Sequence, residues 1–268
     1  MTLKLAIAGA GGRMGRELAR IVHTMPGCIL AGGLEAKGSA YVGMDYGALF
    51  GVANLGIKIA DTPDQLVQAV DGIIDFTIPS ATLELIRYTS TFGKIHIIGT
   101  TGIDAAGDIA IAQAGLTARI VKSGNFSFGV NLVAGLVRKM AATLGPEFDI
   151  EILEMHHRAK IDAPSGTALM LGQAAADGRK VALQEKAVRK RDGHTGARNY
   201  GDIGFAALRG GAVVGDHTVM FAGPAERIEI THKAESREMF ARGAVSAAVW
   251  AENQKPGCYN MNDVLGLN

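Results

Sequence analysis

The chain of 268 residues is long enough for one large domain or two modest ones, and its 48% hydrophobic and 20% charged residues suit a packed core, not a disordered segment. A net charge of +1 excludes a bulk field that would draw it onto nucleic acid or an anionic membrane, so any anionic partner must be held by a local cluster. Glycine is in excess, 36 residues against a usual ~7%, without the triplet period of collagen, which points to tight turns and close backbone approaches.

Leu3–Ala8 is an apolar run that reads as a buried strand, and a glycine-rich turn leads from it into a helix over Arg13–His23. Cys28–Leu34 is a second such run and ends at Glu35; a glycine-spaced loop through Tyr41–Gly56 and a short helix near Pro63–Ala69 follow. Gly72–Phe76, Ile95–Ile98 and Arg119–Lys122 read as strands, with helices over Ala81–Phe92 and Asp104–Ala114 between them. Strand and helix alternating at this spacing predict βαβ units and a parallel sheet covered on both faces. From about Asn125 the rhythm changes. A helix over Val130–Leu144 stops at Gly145-Pro146, a strand covers Asp149–Met155, and the polar stretch "HHRAKIDAPSGT" leads into a helix over Ala168–Ala176. Asp177–Tyr200 is charged and glycine-bearing, which predicts a mobile surface loop. Ile203–Leu208, Ala212–Val214, Thr218–Phe221 and Arg227–His232 then read as strands of a second sheet, and Met239–Val249 as a helix returning to the first domain. Cys28 and Cys258 are expected to be two buried thiols. No signal peptide or membrane span is expected, which predicts a cytoplasmic protein with no membrane partner.

The turn Gly9-Ala10-Gly11-Gly12-Arg13-Met14-Gly15 spaces its glycines as G-x-x-G-x-x-G through Gly9, Gly12 and Gly15. A turn without side chains lets backbone N–H groups approach a pyrophosphate, and the helix that follows adds partial positive charge. Glu35 ends the second strand, where an acid accepts hydrogen bonds from an adenosine ribose. Gly99-Thr100-Thr101, Phe76-Thr77 and Ser123-Gly124-Asn125-Phe126 end later strands at the same edge and complete a candidate site for NADH or NADPH. Glu35 favours a free ribose, whereas Lys37 favours the phosphate of NADPH; NADH is expected to be used at least as well. The expected fold is therefore α/β, a Rossmann-type dinucleotide-binding domain from residues 1–127 with 238–268, plus an α+β domain over 128–237 with a mixed, largely antiparallel sheet.

His156, His157, Arg158 and Lys160 lie within five residues, a density of cations that calls for solvent screening or for an anion. Pro164-Ser165-Gly166-Thr167 offers N–H groups and a hydroxyl at a helix start, a second anion cradle, so a small-molecule dicarboxylate would suit the pair. His and Lys are also natural proton donors. Adjacent histidines without a carboxylate or Cys at ligand spacing argue against a metal. Arg209 and Lys233 flank strands and could border the site, whereas His194, His217 and His232 have no spacing that assigns a role. These features also fit another NAD(P)-dependent amino-acid or hydroxy-acid dehydrogenase.

"IAGAGGRMGRELA", "IGTTG", "NFSFGVN", "EMHHRAKIDAPSGTA", "IGFAALRGG" and "ERIEITHKA", in order along the whole chain, resemble the 4-hydroxy-tetrahydrodipicolinate reductase family. The resemblance implies a homotetramer, whose second domain binds substrate and assembles, and a step of lysine biosynthesis through diaminopimelate. It implies proton transfer by His156 and Lys160, substrate contacts from His157, Gly166 and Thr167, and cofactor contacts from Gly9, Ala10, Gly11, Gly12, Arg13, Met14, Glu35, Gly99, Thr100, Thr101, Ser123, Gly124, Asn125 and Phe126. Relatives often carry Arg where this chain has Ala36, which leaves the choice between the two nucleotides open.

Overall fold

The computed structural model describes residues 2–267. The chain up to Ser127 and Glu238–Gly266 form one compact unit, and Phe128–Arg237 with Leu267 form a second. The first unit runs β1 (Leu3–Ala8), α1 (Arg13–Thr24), β2 (Cys28–Leu34), α2 (Tyr46–Phe50), β3 (Ile59–Ala60), α3 (Pro63–Ala69), β4 (Gly72–Asp75), α4 (Pro79–Thr91), β5 (Ile95–Ile98), α5 (Ala105–Ala114) and β6 (Arg119–Lys122). The second contains α6 (Phe128–Thr143), β7 (Asp149–His156), α7 (Gly166–Arg179), α8 (Leu183–Lys186), β8 (Ala187–Val188), β9 (Ile203–Arg209), β10 (Gly215–Ala222) and β11 (Arg227–Ala234). The chain then rejoins the first unit with α9 (Glu238–Glu252), β12 (Gly257–Tyr259) and α10 (Met261–Leu265).

The first sheet has seven strands in the order β12-β6-β5-β4-β1-β2-β3, and all of its pairings are parallel. Such a sheet is apolar on both faces because helices cover both, and β4 and β5 are buried at every residue. From β1 the chain winds outward through β2 and β3, then returns to β4 and winds the other way. This places a switch point at the carboxyl ends of β1 and β4, where ligands of open α/β sheets bind. One of the covering helices is α9, whose Ala241, Ala244, Val245 and Ala248 are fully buried in the same cluster as Ile7 of β1 and Ile97 of β5.

The second sheet, β11-β10-β7-β9-β8, is mixed. β10 is antiparallel to both β7 and β11, and β9 is parallel to β7 and β8. Alternation along β7 and β10 turns Ile150, Ile152, Val219 and Phe221 to a core shared with α6 and α7 through Val137, Leu171 and Ala175. The opposite face carries Leu153, Met155, Leu208 and Met220, of which Leu208 is exposed and the others half-buried.

Four expectations change. The loop through Tyr41–Gly56 contains α2, because Asp45 caps it through Gly47 N–H and the Tyr46 ring is fully buried. The charged stretch Asp177–Tyr200 begins as the end of α7 and continues through α8 and β8. Two of its arginines pair with β7: Arg191 binds both carboxylate oxygens of Glu151 at 2.8 Å, and Arg198 reaches Asp149 at 2.7 Å. Ala212–Val214 is no strand; β7 separates β9 from β10, and this segment crosses its end, with Gly210 N–H donating to His156 O and Arg158 N–H to Gly211 O. Cys28 is buried but Cys258, on the edge strand β12, is exposed.

Gly243 sits inside α9, where intrinsic propensity favours alanine by ~1 kcal/mol. A Cβ there would lie 1.7 Å from the carbonyl oxygen of Phe126, which is main chain and cannot swing away. Gly243→Ala is therefore expected to destabilise by about 1–3 kcal/mol, the opposite sign from propensity, in denaturant unfolding.

Candidate active site

In the first unit the glycine turn is built by exclusion. Gly9 has φ +74°, a left-handed conformation that suits glycine. A Cβ on Gly15 would come within 2.1 Å of Gly9 O, so α1 packs directly against the turn. A Cβ on Gly11 would fall into the ring of Tyr41, which Arg16 holds by a 3.0 Å hydrogen bond to its hydroxyl and by lying 5.3 Å from the ring centroid. The cap of α1 is Gly12, which has no side chain to accept from the first-turn N–H groups and leaves the helix start available to an anion. Gly12 and Arg13 are exposed, Met14 is half-buried, and Ala10 is buried beneath the turn.

A cavity of about 680 Å³ opens at the switch point, lined by Gly9, Glu35, Lys37, Phe76 and Thr77 among others. Glu35 accepts from Gly11 N–H at 2.7 Å and Ala36 N–H at 3.3 Å, so the acid is tied to the glycine turn as well as facing the cavity. Of the other expected cofactor residues, Thr101 is exposed and Gly99 half-buried at the end of β5. Ser123 donates to Asn125 O at 2.7 Å, and the Asn125 side chain accepts from Ser127 N–H at 2.8 Å, a self-braced loop. Gly124 is exposed, whereas the Phe126 ring is buried 5.5 Å from that of Phe76 and belongs to the core.

Behind these loops lies a network that the sequence reading missed. Asp75, fully buried, accepts from Thr77 N–H (2.9 Å), Thr77 Oγ1 (2.6 Å) and Thr82 Oγ1 (2.6 Å), while Thr82 and Thr100 hydroxyls lie 2.8 Å apart. His96 Nε2 is 3.4 Å from Asp75 and its Nδ1 3.1 Å from Thr89 Oγ1. Burial alone would raise the Asp75 carboxyl, but His96 and the threonine hydroxyls outweigh it and hold it below the usual carboxylate range. The signal was a lone Asp at the end of the apolar strand "GIID", followed two residues later by Thr.

In the second unit the basic run divides. His156 is buried, Arg158 is exposed, and His157 and Lys160 are half-buried, with Lys160 Nζ 2.8 Å from Asp162. His156 Nδ1 lies 2.6 Å from Glu154 Oε2, two residues earlier on the same face of β7. Arg209 closes on both oxygens of Glu154 at 2.8 and 2.9 Å, and Ser165 N–H donates to one of them at 3.1 Å. Burial would raise Glu154, but Arg209 and then His156 outweigh it, and the carboxyl is held low. His217, cross-strand from Glu154, has its ring 5.1 Å from that of His156. Its Nε2 meets Ser165 Oγ at 2.9 Å, and that oxygen also accepts from Ala168 N–H to cap α7. Gly166 opens α7 and a Cβ there would touch nothing within 4 Å, so this helix start borders open space; Thr167 follows it, half-buried. Among the described residues no cluster could hold a metal ion, and no helix is long and apolar enough to cross a membrane.

Comparison with known proteins bears on both units. Residues 3–126 match the family model described as "Dihydrodipicolinate reductase, N-terminus", and residues 129–265 match "Dihydrodipicolinate reductase, C-terminus". The chain is 57% identical over 266 residues to the 4-hydroxy-tetrahydrodipicolinate reductase of Rhodopseudomonas palustris strain BisB18, covering 99% of this chain and 98% of that one. It is 53% identical to the enzyme of the same name from Brucella abortus strain 2308, over 98% and 99% of the two chains. A dipicolinate-bound dihydrodipicolinate reductase from Paenisporosarcina sp. TG-14 shares the fold, with a TM-score of 0.79 and 22% identity over 97% and 98% of the two chains. A probable dehydrogenase from Thermotoga maritima shares it more distantly, with a TM-score of 0.63 and 12% identity over 99% and 93%.

Stability should report His217 directly. Burial first, and His156 second, push its imidazole down to about 4, against the attraction of Glu154. The neutral ring is thus the native form, and acid favours the unfolded chain. The contribution is complete above the unfolded value of ~6.5 and is lost as pH falls toward 4, at most about 3 kcal/mol. Denaturant unfolding free energy is expected to fall between pH 7 and pH 4.5, and His217→Asn to flatten that slope.

Proposed function

We propose the following division of labour for this chain, which belongs to the dihydrodipicolinate reductase family and reduces 4-hydroxy-tetrahydrodipicolinate to tetrahydrodipicolinate, with loss of water and with NADH or NADPH as reductant, in lysine biosynthesis through diaminopimelate. The first unit holds the nucleotide. The glycine turn from Gly9 to Met14 and the start of α1 take the pyrophosphate, and Glu35 the adenosine ribose. Gly99–Thr101 and Ser123–Phe126, of which Thr100 is braced by the Asp75 network, supply backbone groups on the nicotinamide side. The fit is supported by an open helix start with no side-chain cap and by the cavity at the switch point. When bound, the dihydronicotinamide supplies a hydride to the ring carbon that loses its hydroxyl as water.

What remains is a proton and a grip on two carboxylates, and these fall to the second unit. The N–H groups and dipole of the 14-residue α7 at Gly166 and Thr167 favour one carboxylate, and His157 binds beside them. His156 and Lys160 deliver the proton that completes the reduced ring. Lys160 is half-buried with a single carboxylate neighbour at 2.8 Å, so its ammonium is held near the site without being locked in a buried pair. The observation that carries this reading is the buried, oriented His156 on one strand end beside an open helix start. Assembly into a homotetramer, with copies covering the open face at Leu153, Met155, Leu208 and Met220, and a cytoplasmic location belong to the same reading.

His156→Ala and Lys160→Ala are each expected to lower kcat by ~10²-fold or more, followed by NADH absorbance with substrate generated freshly from aspartate semialdehyde and pyruvate. Turnover of both variants at the parent rate would remove these roles. With the parent chain, NADH is expected to support turnover at least as well as NADPH, because the cavity presents the Glu35 carboxylate and, with Ala36 neutral, sets against it the single ammonium of Lys37.

A further inference from the structure

Glu154 is 1% exposed and takes no part in the chemistry described so far. Four donors nevertheless converge on it: His156 Nδ1, both terminal nitrogens of Arg209, and Ser165 N–H. Arg209 is itself fixed, since its Nη2 also donates to Asp162 O at 2.6 Å. A charged carboxylate can only accept, so the 2.6 Å contact requires the hydrogen to sit on His156 Nδ1. The other ring nitrogen, Nε2, is directed over Gly215, where a Cβ would lie 2.9 Å from it. The ionisable groups around His156 are Glu154 on its own strand, Arg209 on β9, His217 and beyond it His232 on β10 and β11, and Lys160 with Asp162 in the loop that follows β7.

We propose that Glu154, locked by Arg209, is the positioning residue for His156: it fixes a hydrogen on Nδ1 and leaves Nε2 as the only nitrogen that exchanges a proton with the ring under reduction. The proposal rests on the reading of His156 as a proton-transfer group. It follows that Glu154→Gln is not a neutral replacement. Arg209 reaches both oxygen positions, but the Ser165 N–H at the Oε1 position can only donate and so claims the amide oxygen, which turns the amide NH₂ toward Nδ1 and moves the imidazole hydrogen to Nε2.

The test is a double-mutant cycle on kcat with a pH profile, with NADH affinity as the control that the fold is intact. Glu154→Gln is expected to lower kcat by about 10- to 100-fold, to move the alkaline limb of the kcat profile to lower pH by roughly one unit, and to leave NADH affinity unchanged. In a His156→Ala background it is expected to have no further effect. An unmoved pH profile, or an equal loss in the His156→Ala background, would overturn the positioning role while His156 keeps its own. If His156→Ala turns over normally, both readings fall together. Nitrogen NMR of the parent protein labelled at histidine decides the geometry without any variant: the neutral His156 ring must carry its hydrogen on Nδ1, and an Nε2–H ring overturns the proposal even if Glu154→Gln fails to fold.

Discussion

A carboxylate with almost no access to water stays ionised only if the protein replaces every hydrogen bond that water would have made. Glu154 is that group, and meeting its demand ties together four parts of the second unit: β7, the end of β9, the loop around Asp162, and the start of α7. Removing any one donor would leave a buried charge undersatisfied, which costs several times the ~1 kcal/mol net worth of an ordinary hydrogen bond. This explains why the loop after β7 has a defined path despite its exposed surface. His217 beside Glu154 stays neutral chiefly because it is buried, and the attraction of that carboxylate only partly offsets the cost.

The first unit solves a similar problem largely with hydroxyl groups. Asp75 ends its strand buried, and hydroxyls from Thr77 and Thr82 share it with His96. The residues so braced, Thr77 and Thr100, each stand two places beyond the ends of β4 and β5. Loops at the edge of a sheet are ordinarily its least ordered parts; here a carboxylate at the strand end holds two of them in register. In both units a buried acid braces residues proposed to face a ligand, Thr100 in the first and His156 in the second.

Hydrophobic periodicity made most of the parallel sheet legible, because its strands are short, uniformly apolar and separated by helices of ordinary length. It failed where elements are held by something other than apolar burial. The turn α2 depends on the Asp45 cap and one buried tyrosine, and β12 is three residues on an edge. The charged stretch after α7 reads as solvent-loving until its arginines find Glu151 and Asp149 on β7. In linear order the basic run is one cationic knot, because sequence adds charges without regard to direction. In the strand, alternation sends His156 inward with Glu154, and the turn that follows leaves Arg158 in solvent. The acid two places before the histidine was present in the sequence, but only the strand period made it a partner. Arg209 comes from a strand fifty-five residues away, and no local pattern could bring it there.

The path of the chain has a consequence for how the molecule is made. The first unit is split: its core needs Ala244, Val245 and Ala248 of α9, which lie beyond the whole of the second unit. A ribosome that releases the chain from its N-terminus therefore emits a nearly complete parallel sheet with one layer bare, and must extrude every residue of the second unit before the missing helix arrives. During that interval the second unit, contiguous in sequence apart from Leu267, can fold on its own schedule, while the first waits with apolar surface uncovered. Vectorial synthesis thus inverts the order in which the two units are encoded, and the nascent first unit is the natural client of whatever chaperone guards the exit.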